Sequence, residues 1–479
     1  MRAEPQPVPS NVAADASYRA DTPIETMAEW IGDEVAPAAF PETILRFRND
    51  RHAAGIGLAQ LSDADWVKHF GRFEPLPGNL PRPLALRYHG HQFRVYNPEI
   101  GDGRGFLFAQ LRDGADRLLD LGTKGSGPTP WSRRGDGRLT LKGAVREILA
   151  TEMLEALGVY TSKTFSVVET GEELTRGDEP SPTRSAVMTR LSHGHIRIGT
   201  FQRLLALEER AHMAQLVDYC LEQFPGPPPP EDAPGRDDPA VRLMHLVVER
   251  MADLAASWMV AGFVHGVLNT DNMNISGESF DYGPWRFLPQ WDPGFTAAYF
   301  DHQGLYAFGR QPEALHWNCG QFAIALRLLT DAPPLIAAME RFGPLYMEAI
   351  GRRWCWRFGV ASRGPEADAA VVAASEKVLS ETGVAPDRFF FTHRAGRAAE
   401  GDLADALAGY EPLASEHSYW DGPGPQSMLI DEVEAIWAAI AEADDWQPLS
   451  DKVAALRDMG AAHGAPPLPA GHVWDTATT

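Results

Sequence analysis

The sequence has few cysteines, a deficit of basic residues and no long hydrophobic run. Its three cysteines are Cys220, Cys319 and Cys355, and none of them stands in a CxxC pair. This argues for a reducing compartment and against a disulfide framework or a zinc site. No run of eighteen apolar residues exists, and the first thirty residues contain no apolar segment of the signal-peptide type. We therefore expect a cytoplasmic protein that does not span a membrane.

Acidic residues outnumber basic ones, since 65 Asp and Glu against 43 Lys and Arg give the 479 residues a formal charge of −22. A chain of this charge repels phosphate backbones, so nucleic acid and anionic membranes are poor partners. A local cluster of Arg and Lys is then expected to hold a specific anion. The apolar fraction of 44% and the 13 Trp residues indicate an ordered globular protein.

The order of predicted elements divides the chain into a β-rich half and a helical half. Short strands with Gly/Asp turns are predicted over 84–121, a helix over 139–157, and two further strands around the polar loop 171–184. From residue 201 the pattern is helical, with a Pro-rich loop at 225–239. Predicted helices cover 201–224, 240–262, 313–330, 334–356 and 431–443, and residues 1 to 25 read as a loose polar tail. This is the layout of a small lobe on a large lobe with a nucleotide between them, and many other α+β proteins share it.

A glycine-rich turn and an arginine cluster are candidates for phosphate binding. Gly101, Gly103 and Arg104 lie in IGDGRG between two predicted strands, where backbone N–H groups can approach phosphate oxygens. Arg190 and Arg197 frame the segment RLSHGHIR, and Arg binds phosphate bidentately. An ordinary hairpin turn and surface salt bridges are the alternatives.

Two charged residues match the arrangement of a strand Lys and a helix Glu that kinases use. Lys124 ends the strand LLDLGTK, and Glu147 lies on the helix that follows. The alternative is an exposed Lys and a solvated Glu. Asp136 and Gly137, in the polar turn SRRGDGRLT, are weaker candidates for contact with a nucleotide.

The strongest motif is HGVLNTDN, followed by DYG. Kinase-like phosphotransferases place His-x-Asp-x-x-x-x-Asn before an Asp-x-Gly that binds Mg²⁺. His265 and Asn272 occupy the two ends of this frame, and Asn272 and Asp281 offer hard oxygen ligands. Val267 replaces the expected Asp, and Asp271 is the nearest carboxylate that could take its role. The alternative is a turn that is simply rich in Asn and Asp.

Together these motifs resemble the selenoprotein O family of protein adenylyltransferases. The resemblance runs from about Leu84 to Leu329 and rests on YHGHQF, GDGRG, LDLGTKGSGPTPWSRRGDGRLTLKGAVRE, SHGHIRIGTF, HGVLNTDNMNISG and DYGP. It implies an α+β, protein-kinase-like two-lobed fold that binds ATP in a flipped orientation and transfers AMP to hydroxyl groups of proteins. The expected divisions are an N-terminal extension (1–83), a nucleotide-binding N-lobe (84–200), and a helical C-lobe with a C-terminal extension (201–479).

The resemblance also implies roles for matching residues. Residues implied to hold ATP are Gly101, Gly103, Arg104, Lys124, Asp136, Gly137, Arg190, Arg197 and Asp281. Glu147 would orient Lys124, while Asn272 and Asp281 would hold Mg²⁺ or Mn²⁺. Asp271 would act as the general base, and Val267 in place of Asp is then expected.

One departure concerns regulation, and two other functions remain open. Some relatives carry a Cys or selenocysteine near the C-terminus, whereas this sequence ends in GHVWDTATT with no cysteine after Cys355. Redox control of that kind is therefore not expected. The alternatives to adenylylation are a conventional kinase that transfers the γ-phosphate and an ATP-binding pseudokinase scaffold.

Overall fold

The computed structural model describes residues 17–177, 179–413 and 416–468, and it has a mixed α+β fold. The chain divides into two compact units. The sheet unit comprises Met1–Leu86, Asp102–Ala144 and Thr164–His193, as far as these ranges are described. The helical unit comprises Arg87–Gly101, Val145–Lys163 and Gly194–Thr479, with the same restriction. The expected lobe boundaries at 83 and 200 stay a prediction.

The strands of the described residues are short except for two. They are β1 (Arg19–Ala20), β2 (Gly32–Glu34), β3 (Ile44–Arg48), β4 (Leu84–Leu86), β5 (Gly90–Gln92), β6 (Val95–Asn97), β7 (Leu107–Arg112), β8 (Leu118–Lys124), β9 (Leu139–Thr140), β10 (Lys163–Leu174), β11 (Thr183–Ser192), β12 (Phe263–Val264) and β13 (Arg286–Phe287).

The sheet unit is built on an antiparallel sheet of nine strands among the described residues, in the order β2-β4-β7-β8-β11-β10-β3. Strand β1 adds to β7, and β9 adds to β11. The predicted strands around 107–112, 118–124, 163–170 and 185–192 are confirmed. The core includes Trp66, which stacks on Phe165 at a centroid distance of 4.8 Å and donates a hydrogen bond from its indole nitrogen to Ser166 Oγ at 2.9 Å.

Most of the remaining chain is helical. The helices are α1 (Ala28–Ile31), α2 (Asp50–Gly55), α3 (Asp63–Phe70), α4 (Leu141–Ala156), α5 (Ile198–Ala206), α6 (Arg210–Gln223), α7 (Pro239–Ala261), α8 (Gln311–Leu326), α9 (Ala332–Glu340), α10 (Phe342–Phe358), α11 (Pro365–Thr382), α12 (Pro386–Thr392), α13 (Gly401–Leu407), α14 (Ile430–Ala443) and α15 (Gln447–His463).

The predicted helix over 240–262 is confirmed as α7, and its ends have recognisable signals. Asp238 accepts a hydrogen bond from the Ala240 N–H at 2.8 Å, and Pro239 stands in the first turn. Gly262 follows in the left-handed conformation with φ of 63°, which glycine adopts without a steric penalty. Nearly every side chain of α7 is buried, so this helix forms the centre of the helical unit.

Three predictions of secondary structure are wrong. The helix predicted over 201–224 is two helices, because the chain turns at Glu208 with a φ of 55°. The helix predicted over 334–356 is interrupted at Arg341, between α9 and α10. The tail predicted up to residue 25 contains strand β1, in which Arg19 pairs with Arg112 of β7. Residues 1–16 of that tail lie outside the described residues.

All three cysteines are buried in the helical unit, and none forms a disulfide. They lie on α6, α8 and α10. Burial raises the pKa of each thiol. None of the described helices is both long and apolar enough to cross a membrane.

Candidate functional site

The HGVLNTDN motif lies in the helical unit, on a loop that we call the candidate loop (residues 263–282). The candidate loop begins with strand β12 and passes through a short 3₁₀ turn at Thr270–Asn272. His265 is buried, and its Nε2 lies 2.9 Å from the carbonyl oxygen of Phe280, which closes the loop on itself. The Asn272 amide donates to the Val267 carbonyl oxygen at 3.1 Å. Val267 therefore helps to hold the candidate loop through its backbone carbonyl, which accepts this hydrogen bond.

Helix α8 holds the candidate loop through two amide side chains that are seven residues apart. Gln311 accepts a hydrogen bond from the His265 N–H at 3.1 Å and donates to the Phe263 carbonyl at 2.8 Å. Asn318 donates to the Leu268 carbonyl at 2.9 Å. Residues seven apart lie on one face of a helix, so a single face of α8 fixes the loop at three points.

Helix α5 and the β5–β6 hairpin hold the next part of the loop. The Thr270 hydroxyl donates to Gln202 Oε1 at 2.6 Å and accepts from the His91 N–H at 2.7 Å. Asn269 Oδ1 accepts from the Phe93 N–H at 3.0 Å and from the Tyr306 hydroxyl at 2.9 Å. Asn269 and Thr270, the two residues before Asp271, are thus fixed by hydrogen bonds.

Asp271 is buried, and its Oδ1 has no hydrogen-bond partner among the described residues. Burial, with a smaller contribution from the nearby charge of Asp281, raises the pKa of this carboxyl to about 6 against the lowering effect of Arg197. Gly90 lies directly against it, because a Cβ at that position would be 2.8 Å from Asp271 Oδ1. The site therefore contains a buried carboxylate with one oxygen available for a proton or a cation.

Asp281 has a left-handed backbone conformation, with φ of 61°. Such a conformation is uncommon for a residue other than glycine and persists where its neighbours hold it. Phe280 accepts the His265 hydrogen bond, and the Tyr282 hydroxyl lies 2.5 Å from Thr161 Oγ1. The electrostatic effect of Asp281 on Asp271 indicates that the two carboxylates are near each other.

Arg197 is buried beside the candidate loop. Its Nη1 donates to the Tyr88 hydroxyl and to the backbone carbonyl of Asp271, both at 3.0 Å. The guanidinium also lies 4.3 Å from the Tyr88 ring centroid and 5.0 Å from that of Phe280. The alternative of a surface salt bridge is therefore wrong for Arg197.

The sheet unit carries Lys124 and Arg190, both of which are buried. Lys124 pairs with Met188 across β8 and β11, and Arg190 stands two residues beyond Met188 on the same strand. Paired residues and their i+2 neighbours share a sheet face, so both cations project from one face, about 7–8 Å apart at the backbone. The alternatives of an exposed Lys and a surface Arg are wrong.

The other predicted residues are distributed as follows. Glu147 is buried on α4, within the helical unit, so the alternative of a solvated Glu is wrong. Its pairing with Lys124 stays a prediction. Gly101 belongs to the helical unit, where it pairs with Arg87. Arg104 is exposed in the sheet unit, and its carbonyl accepts from the Gly125 N–H at 2.6 Å.

Asp136 and Gly137 form a turn in the sheet unit. Asp136 pairs with Arg176 at 2.8 Å and accepts from the Arg138 N–H at 3.0 Å. Partial burial would raise the pKa of the Asp136 carboxyl, but the two arginines outweigh it and lower the pKa. The Gly137 carbonyl accepts from the Gly127 N–H at 3.1 Å. The structure thus gives both residues partners within the sheet unit.

Sequence reasoning missed several residues that shape the site. They are Tyr88, Gly90, His91, Gln202, Asn269 and Tyr306. The run YHGHQF, with its glycine between two histidines, was a usable signal for the first three. Gln202 and Tyr306 carried no signal, because their importance depends on contacts with a loop far away in the sequence.

Comparisons with known proteins first give the class. The protein nucleotidyltransferase YdiU of Synechocystis sp. is 42% identical over 469 residues, which cover 91% of this chain and 97% of that protein. The protein of the same name from Trichodesmium erythraeum is 42% identical over 458 residues, covering 89% and 95%. The one from Mycobacterium sp. (strain KMS) is 34% identical over 441 residues, covering 89% and 88%. The chain is thus similar to protein nucleotidyltransferases along most of its length.

The family follows from a second comparison. A family profile described as "Protein adenylyltransferase SelO" matches residues 16–408. The chain belongs to this family and is a protein nucleotidyltransferase. The resemblance stated from the motifs is therefore confirmed, and the match extends beyond residues 84–329 in both directions.

Proposed function

We propose that the protein transfers AMP from ATP to Ser, Thr or Tyr hydroxyls of other proteins and releases pyrophosphate. The observation that carries this proposal is the arrangement around Asp271. This buried carboxylate has one oxygen without a hydrogen-bond partner among the described residues and lies near Asp281. A general base must be held in place and must keep an oxygen for the incoming proton. The hydrogen bonds of Thr270 and Asn272, on each side of Asp271, provide the first condition.

The proposed fold is the protein-kinase-like arrangement of a β-rich N-lobe and a helical C-lobe. Residues proposed to hold ATP are Gly101, Gly103, Arg104, Lys124, Asp136, Gly137, Arg190, Arg197 and Asp281. The cationic side chains of Lys124, Arg190 and Arg197 support this assignment, because Lys and Arg bind phosphate oxygens. Glu147 is proposed to orient Lys124. We also propose a cytoplasmic location.

Asn272 and Asp281 are proposed to hold Mg²⁺ or Mn²⁺. The residues fit such an ion: the Asn272 amide nitrogen is used by Val267, which leaves its carbonyl oxygen as the free ligand atom. The mutual repulsion of Asp271 and Asp281 would also be relieved by a cation. When bound, the ion would neutralise charge on the phosphate oxygens.

The proposed reaction is a single displacement. Asp271 Oδ1 accepts the proton of the acceptor hydroxyl, whose oxygen forms a bond to the α-phosphorus of ATP. The bond from the α-phosphorus to its bridging oxygen breaks, and pyrophosphate leaves with those electrons. Arg190 and Arg197 stabilise the departing negative charge, since Arg binds phosphate oxygens strongly. Arg197 also holds the backbone of Asp271, so it couples the phosphate to the base.

Labelled ATP tests this proposal against the alternatives. Purified protein is incubated with Mg²⁺ and with ATP labelled on the α- or the γ-phosphate, followed by intact-mass analysis. Adenylylation gives an α-label and the mass of AMP, and a γ-label would instead show a conventional kinase. Thermal stabilisation by ATP with neither label on the protein or on an added acceptor would favour a pseudokinase scaffold.

Asp281→Ala provides the residue-level test. We expect a loss of transfer of about 10²–10³-fold or more, because a charge-bearing group is removed at the reacting phosphate. Asp232→Ala, in the exposed loop before α7, is the matched control and should leave the rate unchanged. Near-normal turnover in Asp281→Ala would refute the assignment.

A further inference from the structure

One face of helix α8 lines a groove of about 530 Å³ in the helical unit. The groove is bounded by α8 residues including Trp317, Gly320 and Ile324 and by α9 residues including Ile336 and Met339. Most of this lining is apolar. The candidate loop contributes no residue to it.

The apolar side chains of the groove are unusually exposed. Ile324 and Ile336 each have 52% of their surface accessible. An exposed apolar groove with a polar rim is typical of a protein interaction site. Met339 adds an adaptable side chain of the kind that binding surfaces use for variable partners.

The two ends of the groove carry positive charge, although the whole chain has a formal charge of −22. At one end Arg94 and Arg310 both pair with Glu313, at 3.1 and 3.3 Å, which leaves one cation in excess. At the other end Arg327 forms no ion pair with any described residue. A ligand with carboxylates at both ends of an apolar surface would complement this arrangement.

The Arg94 end of the groove is connected to the candidate loop through the β5–β6 hairpin. Arg94 lies over the Trp317 ring at 5.4 Å, and that ring contacts the His91 ring at the same centroid distance. The backbone of His91 is bonded to Thr270, and the preceding residue of the hairpin lies against Asp271. A chain leaving this end of the groove therefore starts next to the hairpin that contacts the proposed base.

We propose that this groove docks the protein substrate through an amphipathic helix with acidic residues at both ends. The inference rests on the proposed function and names the feature by which the substrate is recognised. The α8 face from Glu313 to Arg327 is about 20 Å long, which a helix of about fifteen residues spans. Such a helix would set its apolar positions i, i+3, i+4 and i+7 against Ile324 and Ile336.

Peptide binding tests the groove without any catalytic step. The probe is a fluorescent helical peptide of about fifteen residues, with leucines at these positions and glutamates at both ends. We expect the protein to bind it more tightly than a scrambled peptide of equal composition. The double variant Ile324→Asp/Ile336→Asp should lose about tenfold or more in affinity. Met347→Asp is the matched control, since Met347 is 51% exposed on α10 outside the groove.

Equal affinity for both peptides, or equal affinity of the protein and its double variant, would overturn the groove assignment. Melting temperatures show whether the double variant is folded. The second arm adds a serine beyond the end of the peptide that faces Trp317. We expect transfer of the α-label to this serine, with a KM about tenfold or more higher in the double variant and an unchanged kcat.

The outcomes separate the two proposals. Equal labelling of the peptide by the protein and the double variant overturns the docking role alone, because transfer then occurs without the groove. Tight peptide binding without α-label on the peptide or on the protein itself overturns both the substrate role of the groove and the proposed function.

Discussion

The contact between Gly90 and Asp271 gives the sharpest prediction about the site. In Gly90→Ala the new Cβ would lie 2.8 Å from Asp271 Oδ1, 2.9 Å from Ile100 Cδ1 and 3.1 Å from Asp271 Cβ, where ordinary contacts begin at 3.4 Å. Backbone strain does not contribute, because Gly90 is not among the residues with positive φ. The Asp271 carboxylate must therefore move by about 0.6 Å, or rotate away, to admit one methyl group.

The size of the effect follows from this displacement. A misplacement of about 1 Å at a reacting group can cost about 10²-fold in rate, so 0.6 Å corresponds to roughly tenfold in kcat. Overpacking costs about 1–3 kcal/mol in the free energy of unfolding. Both effects should appear together, whereas the affinity for ATP should change little because no proposed ATP contact involves Gly90.

The assay compares kcat for transfer of α-labelled AMP, ATP affinity by calorimetry, and melting temperature. Gly114→Ala is the matched control, since a Cβ there meets nothing within 4 Å. A folded Gly90→Ala protein with the kcat of the unmodified protein would refute the role of Asp271 as the base. A tenfold loss that appears only in ATP affinity would refute it as well.

Three further predictions concern single residues. Asp271→Asn should lower kcat by about 10²–10⁴-fold while ATP still binds, as measured by label transfer and calorimetry, and an undiminished kcat would contradict the mechanism. Gln311→Ala leaves a buried N–H and a buried carbonyl of the candidate loop unpaired. Denaturant unfolding should therefore show that the free energy of unfolding falls by about 1–3 kcal/mol per group. An unchanged unfolding midpoint would show that α8 does not hold the loop. Burial and the charge of Arg341 lower the pKa of His245 to about 4. The folded protein therefore binds fewer protons than the unfolded chain, and its free energy of unfolding falls as the pH drops from about 6.5 to 4. His245→Gln should lose less stability over that range, and equal losses in thermal unfolding would exclude His245 as a contributor.

The sequence predicted those helices and strands whose hydrophobic periodicity and end signals match the structure that they form. Strand β8 and helices α4 and α7 combine clear periodicity with turn or cap residues at their ends. The break between α5 and α6 was missed because LALEERAHM contains good helix formers throughout. Only the positive φ of Glu208 in the structure reveals it.

The candidate site was predictable where its residues form a motif in the sequence. His265, Asp271, Asn272 and Asp281 lie within one segment, so their order alone indicated a reaction loop. The approach of Gly90 to Asp271 joins residues that are far apart in the chain, and a single sequence contains no signal for such a distance. The burial of Arg197 between two aromatic rings was hidden for the same reason.

The burial of the three cysteines has a practical consequence. A thiol reacts with disulfide reagents as the thiolate, and burial disfavours that form in Cys220, Cys319 and Cys355. Each thiol should therefore become reactive only when its own helix opens. The rate of thiol labelling would then report how often α6, α8 and α10 open. A bound nucleotide or peptide would be detected by how far it slows the labelling of each thiol.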